Sequence, residues 1–317
     1  MMEIRIIDRR YIDESSWENL ARRGSFYHTL PWVDICEKGI PGRGIFVCGY
    51  ENDSLMCGLP AIISRRMGAK SFYSMPNGAY GAVLWSEEIL RDQKDEFAKG
   101  LTDYFADSSF SQAIIVDYAN SIGFWHNRHF FSKSVSTHIL DLGSKDEYSP
   151  PKKVLSEIKI GEEAGGDIIR INNDQWLDDY YALYLRNELR HGRTRPLYEK
   201  RFYKAIMGKL HDSDNLYWNG LIVKDRLVGS QIHFINNKTQ YYWQAVSDFD
   251  KRNYRPDYRL LYNAIKSNRN RGVLSVNLGA SPVDAEGLIY FKERWGGREF
   301  KYPILTSKSK LRKLLGR

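Results

Sequence analysis

One lysine stands among aromatic residues in the stretch IYFKERWGG at 289–297. Lys292 directly follows Phe291 and precedes Trp295 by three positions. A cation placed beside aromatic residues, rather than on a solvated face, is a candidate functional group. A surface lysine that lays its alkyl chain on apolar neighbours and keeps its charge in water fits the same spacing. The spacing alone leaves both interpretations open.

The element that carries Lys292 is predicted to be a short helix. Leu288, Phe291 and Trp295 recur at i, i+3 and i+7, which predicts a buried stripe along one helix face. Gly296 and Gly297 follow and are typical of a helix C-terminus. Lys292 is therefore expected beside the stripe, at the edge of the core.

Arginines form a second candidate group. Arg193 and Arg195 lie in HGRTR, between two predicted helices, and Arg255 lies in KRNYRPDYR at the predicted start of another helix. Guanidinium groups bind phosphate and carboxylate through paired hydrogen bonds. Cations are unfavourable at a helix N-terminus, which favours an anionic ligand there. We expect these three arginines to hold an anionic part of a substrate, although a solvated helix face is the alternative for the segment 186–206.

Familiar hydrolase, nucleotide-binding and metalloprotease motifs are absent from the sequence: it has no GxSxG, no Walker lysine loop and no HExxH. His126 and His129 are three residues apart, but no third ligand lies near them in the sequence, so no metal is expected. The three cysteines, Cys36, Cys48 and Cys57, have no CxxC spacing. This pattern predicts buried thiols in a reducing compartment.

The composition indicates a globular protein, with 42% hydrophobic and 14% aromatic residues. No apolar run approaches the roughly 20 residues that span a bilayer. The N-terminus MMEIRIIDRR is charged from its third residue and lacks the apolar region of a secretory signal. We therefore expect a cytoplasmic protein without an integral membrane segment.

Charge is distributed unevenly along the chain. Residues 1–150 carry 16 Lys and Arg against 20 Asp and Glu, a net charge of −4, whereas residues 151–317 carry 31 against 19, a net charge of +12. The two values sum to the net charge of +8 of the whole chain. A polyanionic partner should therefore meet the C-terminal half.

The order of predicted elements is repeated. GIFVCGY and LMCGLPAII form a strand–turn–strand unit, followed by a strand, a helix over roughly 86–107 and the strand AIIVDY. LYWNGLIV and LVGSQIHFI begin the same order again. This repeat predicts an α/β (α+β) fold of two tandem units, 1–145 and 146–317, the final strand of which can return to the first unit. The prolines of SKDEYSPPKK mark the boundary.

The repeated order is similar to that around the acyl-donor site of the GNAT (N-acetyltransferase) fold. In that fold a glycine-rich loop before the helix holds the pyrophosphate of acetyl-CoA against backbone N–H groups. The equivalent stretch here, SDFDKRNYRPDY at 247–258, contains no glycine. A backbone with a β-carbon at every residue cannot approach a pyrophosphate as closely. A standard CoA site is therefore not expected.

The C-terminal third resembles the FemAB-like family, which includes the Fem aminoacyl-tRNA-dependent peptidyltransferases and acetyltransferase-like relatives. The run YRPDYRLLYNAIKSNRNRGVLSVNLGASPVDAEGLIYFKERWGG carries the resemblance. It matches the family motif Gly-Leu-x-x-Phe-Lys-x-x-Trp-Gly at Gly287, Leu288, Phe291, Lys292, Trp295 and Gly296. SFYHTLPW, with His28 where glutamine is usual, and LPAIISRRMGAKSFYSMPNGAYGAVL extend the match towards the N-terminus.

The resemblance implies roles for individual residues. Lys292 would stabilise the oxyanion of the tetrahedral intermediate, with Phe291 as the apolar wall beside it. Asp117, in IIVDYAN, matches an acidic residue at the end of a first-domain strand and would accept a proton from the attacking amine. Substrate-binding residues are expected at Tyr203, Trp243 and Gln244, and at Asn77 and Tyr80 in the first glycine loop. Glu199 stands where muropeptide-binding members have an arginine, so their mode of acceptor recognition is not implied.

Three functions fit these features. The first is an acyltransferase that forms an amide bond by passing an aminoacyl group from aminoacyl-tRNA to an amine-bearing acceptor, such as a peptide, an amino sugar or a cell-envelope (peptidoglycan) precursor. The second uses acyl-CoA as donor for N-acylation of an amino sugar or small amine. The third is a non-catalytic RNA- or glycan-binding protein. No resident cofactor is expected in any of them, and RNA binding should weaken steeply with salt.

Overall fold

The computed structural model describes residues 2–66, 68–76, 79–107, 110–119, 130–143, 148–282 and 285–308. Strands in these ranges are β1 (Glu3–Asp8), β2 (Arg43–Glu51), β3 (Ser54–Arg66), β4 (Ala69–Ser74), β5 (Leu84–Trp85), β6 (Phe110–Val116), β7 (Phe130–Asp141), β8 (Asp167–Arg170), β9 (Leu216–Val223), β10 (Arg226–Asn236), β11 (Thr239–Ser247), β12 (Ser275–Ser281) and β13 (Arg298–Lys308). Helices are α1 (Glu14–Ala21), α2 (Leu30–Gly39), α3 (Arg91–Asp107), α4 (Lys152–Glu163), α5 (Asp174–Arg190), α6 (Lys200–Leu210), α7 (Pro256–Arg269) and α8 (Glu286–Arg294). Short 3-10 helices occur at Arg9–Tyr11, Phe26–His28 and Phe249–Tyr254.

The chain forms two compact units. Unit 1 comprises Met1–Val135 and Lys301–Arg317, and unit 2 comprises Ser136–Phe300. Both boundaries fall inside strands, β7 and β13. The predicted division into domains 1–145 and 146–317 stays a prediction.

Unit 1 is built on a mixed sheet. Its strands follow the order β1-β2-β3-β4-β6-β13, and β5 pairs with β3. All these pairs are antiparallel except β4 with β6, which α3 connects in parallel. Phe97 and Leu101 of α3 pack with β2 and β3 residues such as Val47 and Leu59 in one buried cluster. The cysteines Cys36, Cys48 and Cys57 are buried and free, as predicted.

Unit 2 repeats this arrangement. Its strands follow the order β8-β9-β10-β11-β12-β7. Only β11 and β12 are parallel, and α7 connects them. Leu261 and Ile265 of α7 pack against Val276 of β12 and Trp295 in a buried cluster. The repeat of element order predicted from the sequence is therefore confirmed in the strand order of both units.

Two local differences from the predicted elements have clear causes. Helix α3 begins at Arg91, not near residue 86, because Gln93 Oε1 accepts from Leu90 N–H and ends the preceding turn there. In α8, Leu288 is exposed and Lys292 is the buried residue, so the predicted stripe of Leu288, Phe291 and Trp295 is wrong at Leu288. The helix turns Lys292 and Trp295, three positions apart, towards the interior. Among the described residues, no helix combines the length and apolarity that crossing a bilayer requires.

Candidate active site

The parallel strands β11 and β12 separate part way along their length. They pair at Thr239 with Ser275, Gln240 with Val276 and Tyr241 with Asn277, although β11 continues to Ser247 and β12 to Ser281. All residues of both strands are described, so the pairing ends at Tyr241. The second half of β11 is not paired with β12, so the backbone edge of β11 on that side is available to a ligand. This is the place in the sheet where an extended ligand could insert between strands.

A bulge in β11 lies next to this separation. The register of β10 against β11 shifts between Ile232 and His233, which leaves Trp243 as the extra residue of β11. A bulge of this kind re-aims the side chains around it. Trp243 contacts the rings of Tyr198 and Phe202, and Gln244 contacts α5 and α6. Trp243 and Gln244 therefore both meet the layer formed by α5 and α6.

Gln244 is held by two tyrosines. Tyr203 OH donates to Gln244 Oε1 over 2.8 Å, and Tyr180 OH donates to the same oxygen over 2.9 Å. The amide oxygen of Gln244 therefore has two donors. Gln244 is half-buried, and no hydrogen bond of its amide NH₂ is found among the described residues. The structure brings three predicted binding residues together: Tyr203, Trp243 and Gln244.

Tyr203 itself is fully buried in an aromatic cluster with Tyr180, Tyr184 and Trp218. Burial raises the pKa of Tyr203 and of Tyr180, so both phenols stay protonated donors. Tyr203 thus holds the side chain of Gln244 in place through this hydrogen bond. Its predicted direct contact with substrate stays a prediction. Tyr180, which donates to the same oxygen of Gln244, was not predicted from the sequence.

Lys292 of α8 is 1% exposed, and its ammonium group lies at the end of β12. Its Nζ donates to the carbonyl oxygens of Gly279 (2.7 Å) and Ala280 (2.9 Å) and to the Ser281 hydroxyl (2.9 Å). A lysine ammonium has three donors, and here all three are used. The snorkelling interpretation of Lys292 is therefore wrong, because its charge lies inside the molecule.

Burial lowers the pKa of Lys292 to about 7. A change in pH near neutrality therefore changes the charge of this site. The role of Lys292 as oxyanion stabiliser stays a prediction. In the structure its ammonium ties together the last residues of β12, at the point where β11 and β12 separate.

His138 of β7 is a neighbour that sequence analysis did not single out. It is buried, and its Nδ1 makes no hydrogen bond within the described chain. Desolvation lowers the pKa of His138, and the charge of Lys292 lowers it further. His138 is therefore a neutral imidazole close to the lysine. Its position became evident only from the pairing of β7 with β12.

Phe291 turns towards α7 and the core. Its ring packs against those of Tyr258 at 5.2 Å and Trp295 at 6.3 Å between centroids. It is partly exposed, so one side of the ring is available as an apolar wall. The predicted catalytic contribution of Phe291 stays a prediction.

The three predicted anion-binding arginines differ in their surroundings. Arg193 is exposed and forms an ion pair of 2.7 Å with Glu188. Arg195 is exposed in the same loop and has no ion-pair partner among the described residues. Arg255 Nε lies 2.6 Å from Glu157 Oε2, so an internal carboxylate already occupies this guanidinium. Of the three, Arg195 is the most available to an external anion.

Residues at the N-terminus of α7 make this helix end unsuited to binding an anion. Pro256 at the first helical position has no N–H, and Arg255 before it has a left-handed backbone with φ of 49°. Asp257 in the first turn accepts from the Ser247 hydroxyl, while desolvation raises the pKa of its carboxyl. This acidic group lies at the end of the helix that would otherwise attract an anion.

An open basin of about 670 Å³ lies near the C-terminal end of β11. Cations and carboxylates alternate around it: Arg186, Lys224, Arg226, Lys251, Asp179, Asp225 and Asp248. The lining charges nearly cancel, so the basin has no strong preference for an anion. It remains a polar surface depression beside the loop after β11.

A polar chain inside unit 2 fixes the strands next to the bulge. His233 Nε2 hydrogen-bonds Gln231 Oε1 (3.2 Å), and its Nδ1 hydrogen-bonds Gln240 Nε2 (3.0 Å). Gln240 Oε1 accepts from Asn268 of α7. Burial lowers the pKa of His233 to about 3, so it is neutral. His233 is therefore a buried core histidine with both ring nitrogens hydrogen-bonded.

In unit 1, the remaining predicted residues surround the end of β6. Asp117 is buried and follows the strand, and its N–H donates to Pro303 O. Tyr80 stacks on Tyr118 with centroids 4.1 Å apart and contacts Tyr302 edge-on. Desolvation raises the pKa of Tyr302 to about 12. Asn77, like His126 and His129, lies outside the described residues.

His28, which replaces the glutamine of the FemAB-like pattern, has a structural role here. Its Nδ1 accepts from Ser25 N–H, and its Nε2 donates to Ala82 O over 3.0 Å. Burial lowers the pKa of His28 to about 4, so the ring is neutral. His28 thereby anchors the loop that carries Tyr80. In the described part of the chain, no three His, Cys, Asp or Glu side chains are grouped as metal ligands.

Comparison with known proteins supports the predicted fold. Residues 152–300 match the family model of an acetyltransferase (GNAT) domain. The chain is similar in structure to FemX, with a TM-score of 0.70 and 11% identity over 99% of this chain and 100% of that one. It is also similar to L-PGS from Bacillus licheniformis (TM-score 0.60, 10% identity, 98% and 96% covered). A tandem GNAT protein from the clavulanic acid biosynthesis pathway gives a TM-score of 0.60 at 14% identity (97% and 98% covered).

No protein of curated function matches the sequence significantly. The structural similarities, at identities this low, establish the fold, and the matched domain establishes the enzyme class. The predicted α/β fold of two tandem GNAT-like units is confirmed, together with its likeness to FemX. The protein is an acyltransferase.

Proposed function

We propose that this acyltransferase, which has the tandem GNAT fold of the FemAB-like proteins, transfers an aminoacyl group from aminoacyl-tRNA to an amine. The amine nitrogen attacks the ester carbonyl, an amide bond forms, and the ester C–O bond breaks. The ribose hydroxyl leaves with a proton, and the amine loses one. The acceptor is a peptide, an amino sugar or a cell-envelope precursor bearing a free amine.

The choice of acyl donor rests on the N-terminus of α7, which is unsuited to binding an anion. Acetyl-CoA enzymes of this fold need free backbone N–H groups and glycines at that position. Here Pro256 lacks an N–H, and Asp257 places a carboxyl in the first turn. No glycine occurs between Ser247 and Tyr258. These features disfavour a pyrophosphate at the helix start and favour a donor held elsewhere by its phosphates.

Lys292 has the central chemical role in this proposal. As an ammonium it releases one of its three acceptors, the Ser281 hydroxyl, and donates to the oxyanion that forms on the ester carbonyl. The carbonyls of Gly279 and Ala280 keep Nζ in place during this exchange. Phe291 supplies the apolar wall and Gln244 a fixed amide donor. The assignment of Asp117 as the proton acceptor stays a prediction.

The test is a transfer assay with two donors in parallel. Purified protein is mixed with bulk radiolabelled aminoacyl-tRNA or with acetyl-CoA, and a panel of amines, including amino sugars and peptides, serves as acceptor. We expect amide product from aminoacyl-tRNA, and salt-sensitive binding of tRNA without binding of CoA. Product from acetyl-CoA alone would overturn the donor assignment and leave the enzyme class unchanged.

The second candidate is an acyl-CoA-dependent N-acyltransferase. It is favoured by the match of residues 152–300 to an acetyltransferase domain and by the separation of β11 from β12. A CoA-dependent rise in the thermal unfolding temperature would distinguish it from the first. The match to an acetyltransferase domain argues against the third function, a non-catalytic binding protein.

A further inference from the structure

Three large apolar side chains are more than half exposed around the C-terminal end of α5. Leu189 is 67% exposed, Leu197 51% and Phe249 53%. Single exposed apolar residues are common on protein surfaces, but a group of three large ones indicates a surface that meets a partner. We call these three residues the apolar tips.

Hydrogen bonds keep two of the tips close to each other. Gly192, with φ of 75°, ends α5 and its N–H donates to Leu189 O, while Arg193 N–H donates to Glu188 O. Glu188 Oε2 then accepts from Leu197 N–H. The loop is thus folded back on the helix end, and Leu189 and Leu197 are both anchored at Glu188.

Two arginines contact the third tip, Phe249, near the C-terminal end of α5. The guanidinium of Arg190 lies 5.3 Å from the centroid of the Phe249 ring, and that of Arg252 lies 4.6 Å from it. A guanidinium over the face of an exposed aromatic ring also gains cation–π energy, so the ring and both cations lie together. Phe249 therefore lies beside Arg190, at the C-terminal end of α5.

The charge around the tips is mainly positive. Arg190, Arg193, Arg195, Lys251 and Arg252 surround them, all exposed. The carboxylates in the same segments are Glu188, which is buried against Arg193, Glu199, which is paired with Arg201, and Asp248 and Asp250. Asp248 accepts from Asp250 N–H and caps the short 3-10 helix. The cations therefore exceed the exposed carboxylates around the apolar tips.

We propose that the apolar tips and the surrounding arginines form a docking surface for an anionic lipid bilayer. Apolar side chains insert at the boundary of the lipid chains, while arginines and lysines bind phosphates in the headgroup layer outside it. Each cation near an anionic bilayer surface adds to the attraction. An RNA backbone would use the arginines and Phe249 but would leave Leu189 and Leu197 exposed to water. Of these two partners, only the bilayer uses all three tips.

The test is flotation of the purified full-length chain with lipid vesicles. One set contains phosphatidylcholine alone, and the other contains phosphatidylcholine and phosphatidylglycerol in equal parts. We expect binding to the second set only. We expect the triple variant Leu189→Ser, Leu197→Ser, Phe249→Ser to lower the partition coefficient by about tenfold or more. The matched control is Tyr11→Ser, Leu90→Ser, Leu274→Ser, which removes three other exposed apolar side chains and keeps full binding.

A second measurement does not depend on the stability of the triple variant. The native cysteines are buried, so a Leu189→Cys variant can be labelled at that position with an environment-sensitive dye. Anionic vesicles should shift its emission to the blue, whereas a dye at Leu90→Cys should not respond. Absence of binding to anionic vesicles overturns the proposal. The proposal is also overturned if the triple variant binds vesicles like the unmodified chain while the double variant Arg190→Gln, Arg252→Gln loses binding to vesicles and to bulk tRNA. That pattern would identify an RNA-binding surface.

Discussion

At the scale of single residues, the bonds of Lys292 define what the candidate site can do. Its ammonium is already coordinated by two carbonyl oxygens and a hydroxyl, so its position is fixed before any substrate arrives. The two carbonyl oxygens keep Nζ in place while the Ser281 hydroxyl is exchanged for the oxyanion, so reorganisation is limited to one hydrogen bond. The same bonds also hold the end of β12. A substitution at Lys292 therefore affects catalysis and stability together, and the two effects need separate measurements.

The first prediction concerns catalysis by Lys292. Lys292→Met should lower the rate of aminoacyl transfer by about 10²–10³-fold, the loss typical of removing one oxyanion donor. Methionine has similar length but cannot donate a hydrogen bond. The measurement is single-turnover transfer from aminoacyl-tRNA with saturating acceptor, at a temperature where circular dichroism shows the variant to be folded. An unchanged rate would remove Lys292 from the mechanism.

The second prediction concerns the pH dependence of stability. Burial lowers the pKa of Lys292 to about 7 in the folded protein, whereas the unfolded chain keeps the ordinary value of 10.5. Between these two values the unfolded state binds more protons, so the contribution of Lys292 to the unfolding free energy rises with pH. The slope is about 1 kcal/mol per pH unit at about pH 8. Urea unfolding of the unmodified chain and of Lys292→Met should show this slope only in the former, and parallel slopes would contradict it.

The third prediction concerns the pair of bonds to Gln244. Tyr203→Phe removes one donor and leaves that of Tyr180, so it should cost about 1 kcal/mol of unfolding free energy. Gln244→Leu leaves both buried hydroxyls without this acceptor and should cost about 2 kcal/mol or more. Tyr290→Phe, at an exposed tyrosine, is the control and should change stability by less than about 0.5 kcal/mol. Equal losses for Tyr203→Phe and Gln244→Leu would show that Gln244 is not the shared acceptor.

At the scale of elements, the site depends on irregularities in two strands. β11 carries the bulge at Trp243, and β12 shifts its register against β7 between Asn277 and Ala280. Gly279, with φ of 79°, lies inside the second irregularity and presents its carbonyl to Lys292 and to the Thr137 hydroxyl. These departures from a regular ladder place the end of β12 where the lysine can reach it.

The fourth prediction uses two glycines with positive φ. A β-carbon at Gly279 would lie 3.0 Å from Tyr242 O, whereas one at Gly272 would have nothing within 4 Å. Gly272→Ala should therefore cost only the backbone strain, about 1 kcal/mol, and Gly279→Ala about 2 kcal/mol or more. Gly279→Ala should in addition reduce transfer activity, because it moves the carbonyl that holds Lys292. Chemical denaturation and transfer assays of both variants provide the comparison; equal stability and activity would contradict it.

Much of this architecture is predictable from the sequence because local patterns specify it. Apolar runs predicted β2, β3 and β6 of unit 1 and β9 and β10 of unit 2, and KRNYRPDYR lies at the start of a helix, as predicted. β5 and β8 were not predicted. β7 was not predicted, and its middle stretch, KSVST, has few apolar residues to signal a strand. The burial of Lys292 was not predictable either, since it depends on acceptors in β12, which lies more than ten residues away along the chain. Tyr180 and His138 were missed for the same reason: only tertiary pairing gives them their neighbours.

At the scale of the whole molecule, charge is the property that the sequence predicted most directly. The excess of Lys and Arg lies in residues 151–317, and the exposed arginines of the loop between α5 and α6 belong to this half. A donor with many phosphates would meet this half first, because long-range attraction follows the net charge. Each phosphate contact releases counterions, so the number of contacts can be read from the dependence of binding on salt.

The fifth prediction follows from the different surroundings of two neighbouring arginines. Arg195 has no ion-pair partner among the described residues, whereas Arg193 is paired with Glu188. Arg195→Gln should therefore reduce the slope of log affinity for bulk tRNA against log salt by about 1, the effect of one lost phosphate contact. Arg193→Gln should reduce it less, because phosphate must first compete with the carboxylate. Lys99→Gln, at an exposed lysine of α3 in unit 1, is the control and should leave the slope unchanged. Filter binding across a salt series measures all three slopes, and an equal reduction by Lys99→Gln would mean that RNA is attracted by total charge and not by the α5–α6 loop.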